Sequence, residues 1–127
     1  MKFLLFIVMV FDPGFQCMSE NVYYEARNQP FIGQVAVADV TFNRIEDDRW
    51  PDSACEVVNQ RKQFSWTATK HKKPYGPAWV KAQLAVLESA RRGPSIKATH
   101  FHATYVDPYW APEQQYIVTI GDHVFYD

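Results

Sequence analysis

Glu25 is a residue whose type and setting could let it move a proton. It stands in Asn21-Val-Tyr-Tyr-Glu-Ala-Arg27, beside two tyrosines and just before the turn residues Asn28, Gln29 and Pro30. A carboxyl held in apolar, poorly solvated surroundings resists ionisation and can act as a general acid near neutral pH. The competing account is a solvated glutamate beside Arg27, the commoner state of glutamate on a helix. Cutting a glycosidic bond normally asks for a second carboxylate, about 5 Å away as a nucleophile or farther off as a base that activates water. No second acid lies within the local motif. Asp39, on the apolar segment that follows, is the best internal candidate, with a hydrogen-bonded structural aspartate as its alternative. One acid is enough where a hydroxyl of the sugar itself attacks: Glu25 would protonate the leaving oxygen, then take a proton from that hydroxyl.

Two further groups carry chemistry. Tyr23, Tyr24, Gln63, Phe64, Ser65, Trp66, Tyr105, Tyr109 and Trp110 offer flat apolar faces and hydrogen-bonding tips, which suit sugar rings. Their alternative is core packing. His100 and His102 lie two apart on a predicted strand and so share a face; with His123 or Asp107 they could ligate zinc. No His-Glu-x-x-His helix and no Cys/His pair at zinc spacing accompanies them. Histidines hydrogen-bonding at a cleft rim are therefore the preferred account, and neither metal nor other cofactor is expected.

These residues need elements to hold them. Ser19 can cap a helix from about Glu20 to Arg27. After Pro30 and Gly33, a second helix over roughly Gln34 to Ile45 is apolar nearly all round and must be buried. Glu46 to Pro51 reads as a polar loop, and Asp52 or Ser53 can cap a short helix over Ala54–Asn59. Gln60 to Pro77 has no clear period. A helix over Trp79–Arg92 ends at Gly93-Pro94. The period then changes: Ala98–Ala103 and Tyr116–Ile120 alternate as strands, and Gly121-Asp122 is a two-residue turn into a last strand, His123–Tyr126. Helices first and a small antiparallel sheet last make an α+β fold.

With 127 residues, 47% hydrophobic and 16% aromatic, the chain has material for one folded domain. Its net charge of −1 hides an asymmetry, since the span from Arg61 to Lys97 holds nine of the 13 cations and only one acid, Glu88. That favours an anionic partner, although no nucleic-acid-binding motif is present, so nucleic acid is not expected. Met1-Lys2 followed by the apolar run Phe3–Phe11, which Asp12-Pro13-Gly14 stops, has the length of a signal-peptide core and is too short for a stable membrane span. No small-x-small cleavage site precedes Cys17. Residues 1–16 read as a signal-like leader. Cys17 and Cys55 fit one disulfide or two free thiols by count; export permits a Cys17–Cys55 bridge.

Several motifs in order give the chain a specific resemblance: Val22-Tyr-Tyr-Glu-Ala-Arg27, Gly33-Gln-Val-Ala-Val-Ala38 with Asn43-Arg44, Cys55-Glu-Val-Val58, Gln63-Phe-Ser-Trp66, Ala98-Thr-His-Phe-His102, Tyr105-Val106 with Pro108 and Trp110, and Ile120-Gly-Asp-His-Val-Phe-Tyr126. From Cys17 to Tyr126 it resembles the cell-wall hydrolase family that includes the SleB-like catalytic domains of spore cortex-lytic enzymes. The resemblance implies a lysozyme-like α+β fold over residues 17–127. It also implies cleavage of peptidoglycan glycan strands between N-acetylmuramic acid and N-acetylglucosamine, typically as a lytic transglycosylase. Glu25 matches the family's catalytic glutamate. Tyr24, Phe64, Ser65, Trp66, His100, His102, Tyr105 and Trp110 are the expected groove residues. Many relatives carry a second acid where this chain has Gln29, which disfavours a hydrolytic mechanism needing two local acids. The expected protein is a monomer, exported to the periplasm, wall or medium, or phage-encoded and wall-directed, with its basic stretch supplying wall affinity. The rivals are a metal-dependent amidase or peptidase using His100, His102 and His123, and a wall-binding module whose glutamate is inert.

Overall fold

The computed structural model describes residues 12–62 and 73–127, with backbone alone at 61 and 62. Phe64, Ser65 and Trp66 lie outside the described residues, as does the apolar run Phe3–Phe11.

Helix α1 spans Pro13–Ala26. Asp12 is its N-cap, accepting the Gly14 amide at 2.7 Å, and Pro13 sits in the first turn, where its missing N–H costs nothing. The sequence places this start at Ser19–Glu20 and treats Asp12-Pro13-Gly14 as a stop. The same residue types are a start signal, and Phe15, Met18, Val22 and Ala26 extend one buried stripe along the helix. Ser19, far from capping anything, is fully buried inside it. The helix thus takes in the last residues of the stretch expected as leader.

Pro30 ends the turn after α1, and its carbonyl accepts the Gly33 and Gln34 amides, so α2 (Phe31–Ile45) opens earlier than expected. Every residue from Gly33 to Thr41 is buried, which makes α2 the central helix, as an all-round apolar segment requires. Each fully buried valine there, Val37 and Val40 among them, contributes about 1.5–3 kcal/mol relative to exposure. Helix α3 (Ala54–Lys62) is capped by Ser53, whose hydroxyl accepts the Glu56 amide and bonds the Glu56 carboxylate. Cys55 at its start is disulfide-bonded to Cys17, with Cα atoms 5.2 Å apart, tying α3 to α1.

Helix α4 (Gly76–Arg92) begins ahead of Trp79 because Pro77 fits its first turn, and it stops at Gly93, whose φ of 80° no L side chain adopts readily. Ala82, Ala85, Val86 and Ser89 bury its inner face, which packs on α1 and α2. Strands β1 (His100–Ala103), β2 (Tyr116–Ile120) and β3 (His123–Tyr126) form an antiparallel sheet in the order β1-β3-β2. Phe101 pairs with Phe125, and both turn inward to the helices' core. A single turn of 3-10 helix, Ala111–Glu113, lies between β1 and β2. Among the described residues no helix is long and apolar enough to cross a membrane.

Candidate active site

Glu25 is the penultimate residue of α1 and is half-buried. Its neighbours in sequence define the surroundings. Tyr23 is buried, with its ring edge-on to both Tyr24 (5.1 Å between centroids) and Trp79 of α4 (6.1 Å). Arg27, exposed, lays its guanidinium over the Tyr23 ring at 5.0 Å and the Tyr24 ring at 6.0 Å. Burial pushes the Tyr24 hydroxyl up from its ordinary value, Glu20 and Tyr23 add to the rise, and Arg27 opposes it. Glu25 is therefore a half-buried residue of the helix end that carries this aromatic cluster.

The turn behind it is clamped. Gln29 is buried, and its amide is used at both ends: Oε1 accepts the Asp122 backbone N–H at 2.8 Å, and Nε2 donates to the Asp122 carboxylate at 3.1 Å. The Gln29 carbonyl accepts from buried Gln34 of α2 and from Lys81 of α4. Gly121 is required here. Its φ is +56°, and a Cβ on it would lie 2.3 Å from the Gln29 Oε1.

The sheet's other face carries an aromatic row that begins in the loop after α2. Trp50 lies under two guanidinium groups, Arg44 at 4.8 Å and Arg49 at 4.5 Å, and meets His100 edge-on at 5.7 Å. Arg49 is held by paired bonds to Asp47, which pull that carboxyl down to about 2. His100 contacts Trp110 at 5.1 Å, Trp110 contacts His102 at 5.6 Å, and His102 stacks on Tyr126 at 5.3 Å. The carbonyl of Ala103 can only accept, so His102 Nδ1 donates to it; in the neutral ring Nε2 then accepts from the Tyr126 hydroxyl at 2.8 Å.

Of the residues singled out in the sequence, the structure brings His100, His102 and Trp110 into one row and leaves Tyr105 projecting, 85% exposed, from the loop after β1. Trp50 and Tyr126 were missed as members of the row. Trp50 is a lone aromatic in an otherwise polar loop, and only the fold shows what it meets. The three-histidine reading fails on the pleat. His100 and His102 share one face, whereas His123, paired with Ala103, lies on the other, buried against Phe101 at 5.1 Å. Among the described residues no group of three or more His, Cys, Asp or Glu is placed to hold a metal ion.

Asp39 is fully buried, and its carboxylate is consumed by structure. It accepts from the Ser89 hydroxyl, the Ile96 amide and the Ser95 hydroxyl, holding the α4–β1 connection onto α2. Desolvation by burial raises its pKa, and the hydrogen bonds from Ser89, Ile96 and Ser95 partly offset the rise. The alternative of a structural aspartate is the one observed. A cavity of about 520 Å³ opens at the opposite end of α1, lined mainly by apolar groups such as Phe15, Met18, Phe42 and Ile45. It lies about 16 Å along the helix from Glu25 and holds none of the chemistry above.

Comparison with known proteins agrees with this architecture. Residues 28–126 match the family model described as Cell Wall Hydrolase. A spore cortex-lytic enzyme of Halalkalibacterium halodurans is 34% identical over 116 residues, which is 90% of this chain and 34% of that protein. The chain thus spans about a third of that relative's length. Among solved structures, the catalytic domain of the germination-specific lytic transglycosylase SleB from Bacillus anthracis superposes with a TM-score of 0.76 at 28% identity, covering 92% of this chain and 97% of that one. The catalytic domain of Bacillus cereus SleB gives a TM-score of 0.74 at 29% identity, covering 90% of this chain and 89% of that one. The α+β, lysozyme-like fold expected from the sequence is the fold shared with these domains.

Proposed function

Because this chain belongs to the cell wall hydrolase family, we propose that it cuts peptidoglycan glycan strands between N-acetylmuramic acid and N-acetylglucosamine, as a lytic transglycosylase with Glu25 as acid and then base. The observation that carries this reading is the match to nearly the whole of a catalytic domain that is described as a lytic transglycosylase. The family match begins at Asn28, just after Glu25. The role of Glu25 accordingly rests on its Tyr-Glu-Ala-Arg setting and on its place at the helix end beside Tyr23, Tyr24 and Arg27.

The carboxyl of Glu25 gives its proton to the bridging oxygen as the C1–O bond of the muramic residue breaks. A hydroxyl of that same residue then attacks C1, and the Glu25 carboxylate takes the proton it releases. The products are an anhydro sugar and a free hydroxyl on the neighbouring glucosamine. No water enters, so no second carboxylate is needed. This suits a chain whose candidate second acid, Asp39, is already bonded to Ser89 and Ile96. The half-buried row around Trp110 supplies stacking faces for the strand, together with Phe64, Ser65 and Trp66. The apolar run Phe3–Phe11 fits export towards the wall, and the basic span from Arg61 to Lys97 fits an anionic polymer.

Mass spectrometry of purified peptidoglycan, digested with wild type and with Glu25→Gln, tests the proposal. Anhydro-muropeptides from wild type and none from the variant are expected. Reducing muropeptides would make water the nucleophile, and cut peptides on intact glycan would overturn the reading. Glycan binding that survives with no cleavage product from either protein would leave a wall-binding module.

A further inference from the structure

We propose that Gln29 is a positioning residue for the reaction, and that its pairing with Asp122 sets the helix end carrying Glu25 against the sheet carrying the aromatic row; this rests on the function proposed above. Gln29 lies one helical turn beyond Glu25 and joins four elements. Its amide nitrogen bonds the Ala26 carbonyl and closes α1. Its carbonyl receives Gln34 of α2 and Lys81 of α4, and its side chain grips the β2–β3 turn. Asp122 passes the connection on, since its carbonyl accepts the Thr104 amide at 2.7 Å at the end of β1. One buried side chain thereby fixes Glu25's helix relative to His102 and the loop leading to Trp110.

The clasp dictates an amide at position 29. Oε1 must accept from the Asp122 N–H while Nε2 donates to the Asp122 carboxylate. A glutamate could do the first, but its second oxygen would face the Asp122 carboxylate at the 3.1 Å where Nε2 now sits. Two carboxylates that close share one proton, and the pair binds that proton more tightly than a lone acid does. Gln29→Glu should therefore close the clasp while the shared proton is present and open it as pH rises. Exchanging the roles, Gln29→Glu with Asp122→Asn, restores a donor opposite an acceptor across this pair at every pH, because the new amide at 122 donates to the carboxylate at 29. Exposed Asn28, whose Oδ1 now accepts from the Gln29 Nε2 at 3.2 Å, can turn its own amide nitrogen to that carboxylate. A residue that merely fills space predicts no such pH dependence and no rescue.

The experiment follows activity on purified peptidoglycan and thermal unfolding, in parallel, for wild type, Gln29→Glu and the double exchange, from about pH 5 to about pH 8. Relative to wild type, Gln29→Glu should lose on the order of 10–100-fold in kcat across that range while staying folded, as a shift of about 1 Å at a reacting group does. The double exchange should track wild type throughout. If Gln29→Glu unfolds at the upper pH, restored unfolding temperature and restored activity in the double exchange still support the clasp. A pH-independent loss in Gln29→Glu, or a double exchange no better than the single, overturns it. If wild type cuts no glycan, the functional proposal fails, and the unfolding temperatures alone then decide the clasp.

Discussion

Replacing Asp39 separates its structural role from a catalytic one and does so quantitatively. Asp39→Ala removes the acceptor for the Ser89 hydroxyl and for the Ile96 amide, bonded at 3.2 Å. Each buried donor left unmet costs about 1–3 kcal/mol, and removing a desolvated charge returns part of that, for a net loss of about 2–4 kcal/mol. At a urea slope of about 1–3 kcal/mol per molar, the unfolding midpoint falls by about 1–4 M. The pH dependence sharpens the test. Burial raises the folded-state pKa of Asp39 above its ordinary 3.8, so the native protein holds this proton more tightly than the unfolded chain. Its contribution is accordingly most favourable below that ordinary value, declines as pH rises above it, and levels off once the folded-state pKa is passed. Asp39→Asn has no such proton to lose. Urea unfolding at a series of pH values should show the stability gap between wild type and Asp39→Asn narrowing as pH rises. Muropeptide release by Asp39→Asn should stay within about threefold of wild type, because the side chain bonds the α4–β1 connection and substrate never meets it. A stability gap that does not change with pH refutes the linkage argument. A folded Asp39→Asn that releases no muropeptides refutes the one-acid mechanism and makes Asp39 the second carboxylate.

The Cys17–Cys55 bridge closes a loop with a sequence separation of 38, worth about 4 kcal/mol in the chain-entropy account. The double serine variant, or wild type with reductant, should lose that much by urea unfolding, and a loss below about 1 kcal/mol would show the bridge to be dispensable. Trp110, half-buried, contacts His100, His102 and Tyr126 on the sheet face turned away from the helices. Trp110→Ala should raise KM for glycan by up to roughly tenfold, at about 0.5–1.5 kcal/mol for a stacking aromatic, in a variant that stays folded. An unchanged KM would remove the row from the substrate site.

Much of this protein is written locally. The apolar run from Val35 to Ala38, with Val40 beyond it, leaves α2 no option but the centre, and Gly93-Pro94 stops α4 wherever the chain goes. The alternation of Tyr116–Ile120 and His123–Tyr126 around Gly121-Asp122 defines a hairpin whose bounds the structure reproduces. The Tyr-Glu-Ala-Arg motif singles out Glu25. Helix starts are less legible, because Asp12-Pro13 and Pro30 read equally as stop or start until neighbouring helices bury the turn that follows. Pairings distant in sequence are not legible at all. Whether His123 joins His100 and His102 is settled by the pleat and by the register of β1 on β3. Whether Asp39 is an acid for chemistry or a bracket for Ser89 and Ile96 depends on where α4 and its following loop pack. Gln29, read along the chain as the loss of an acid, becomes a clasp only when the hairpin turn brings Asp122 within hydrogen-bond distance from 93 residues away. Residue type and local period decide which elements form and which side chains are candidates for chemistry; the partner that gives each buried polar group its role is chosen by tertiary packing, because a hydrogen bond is made across space and leaves no period in the sequence.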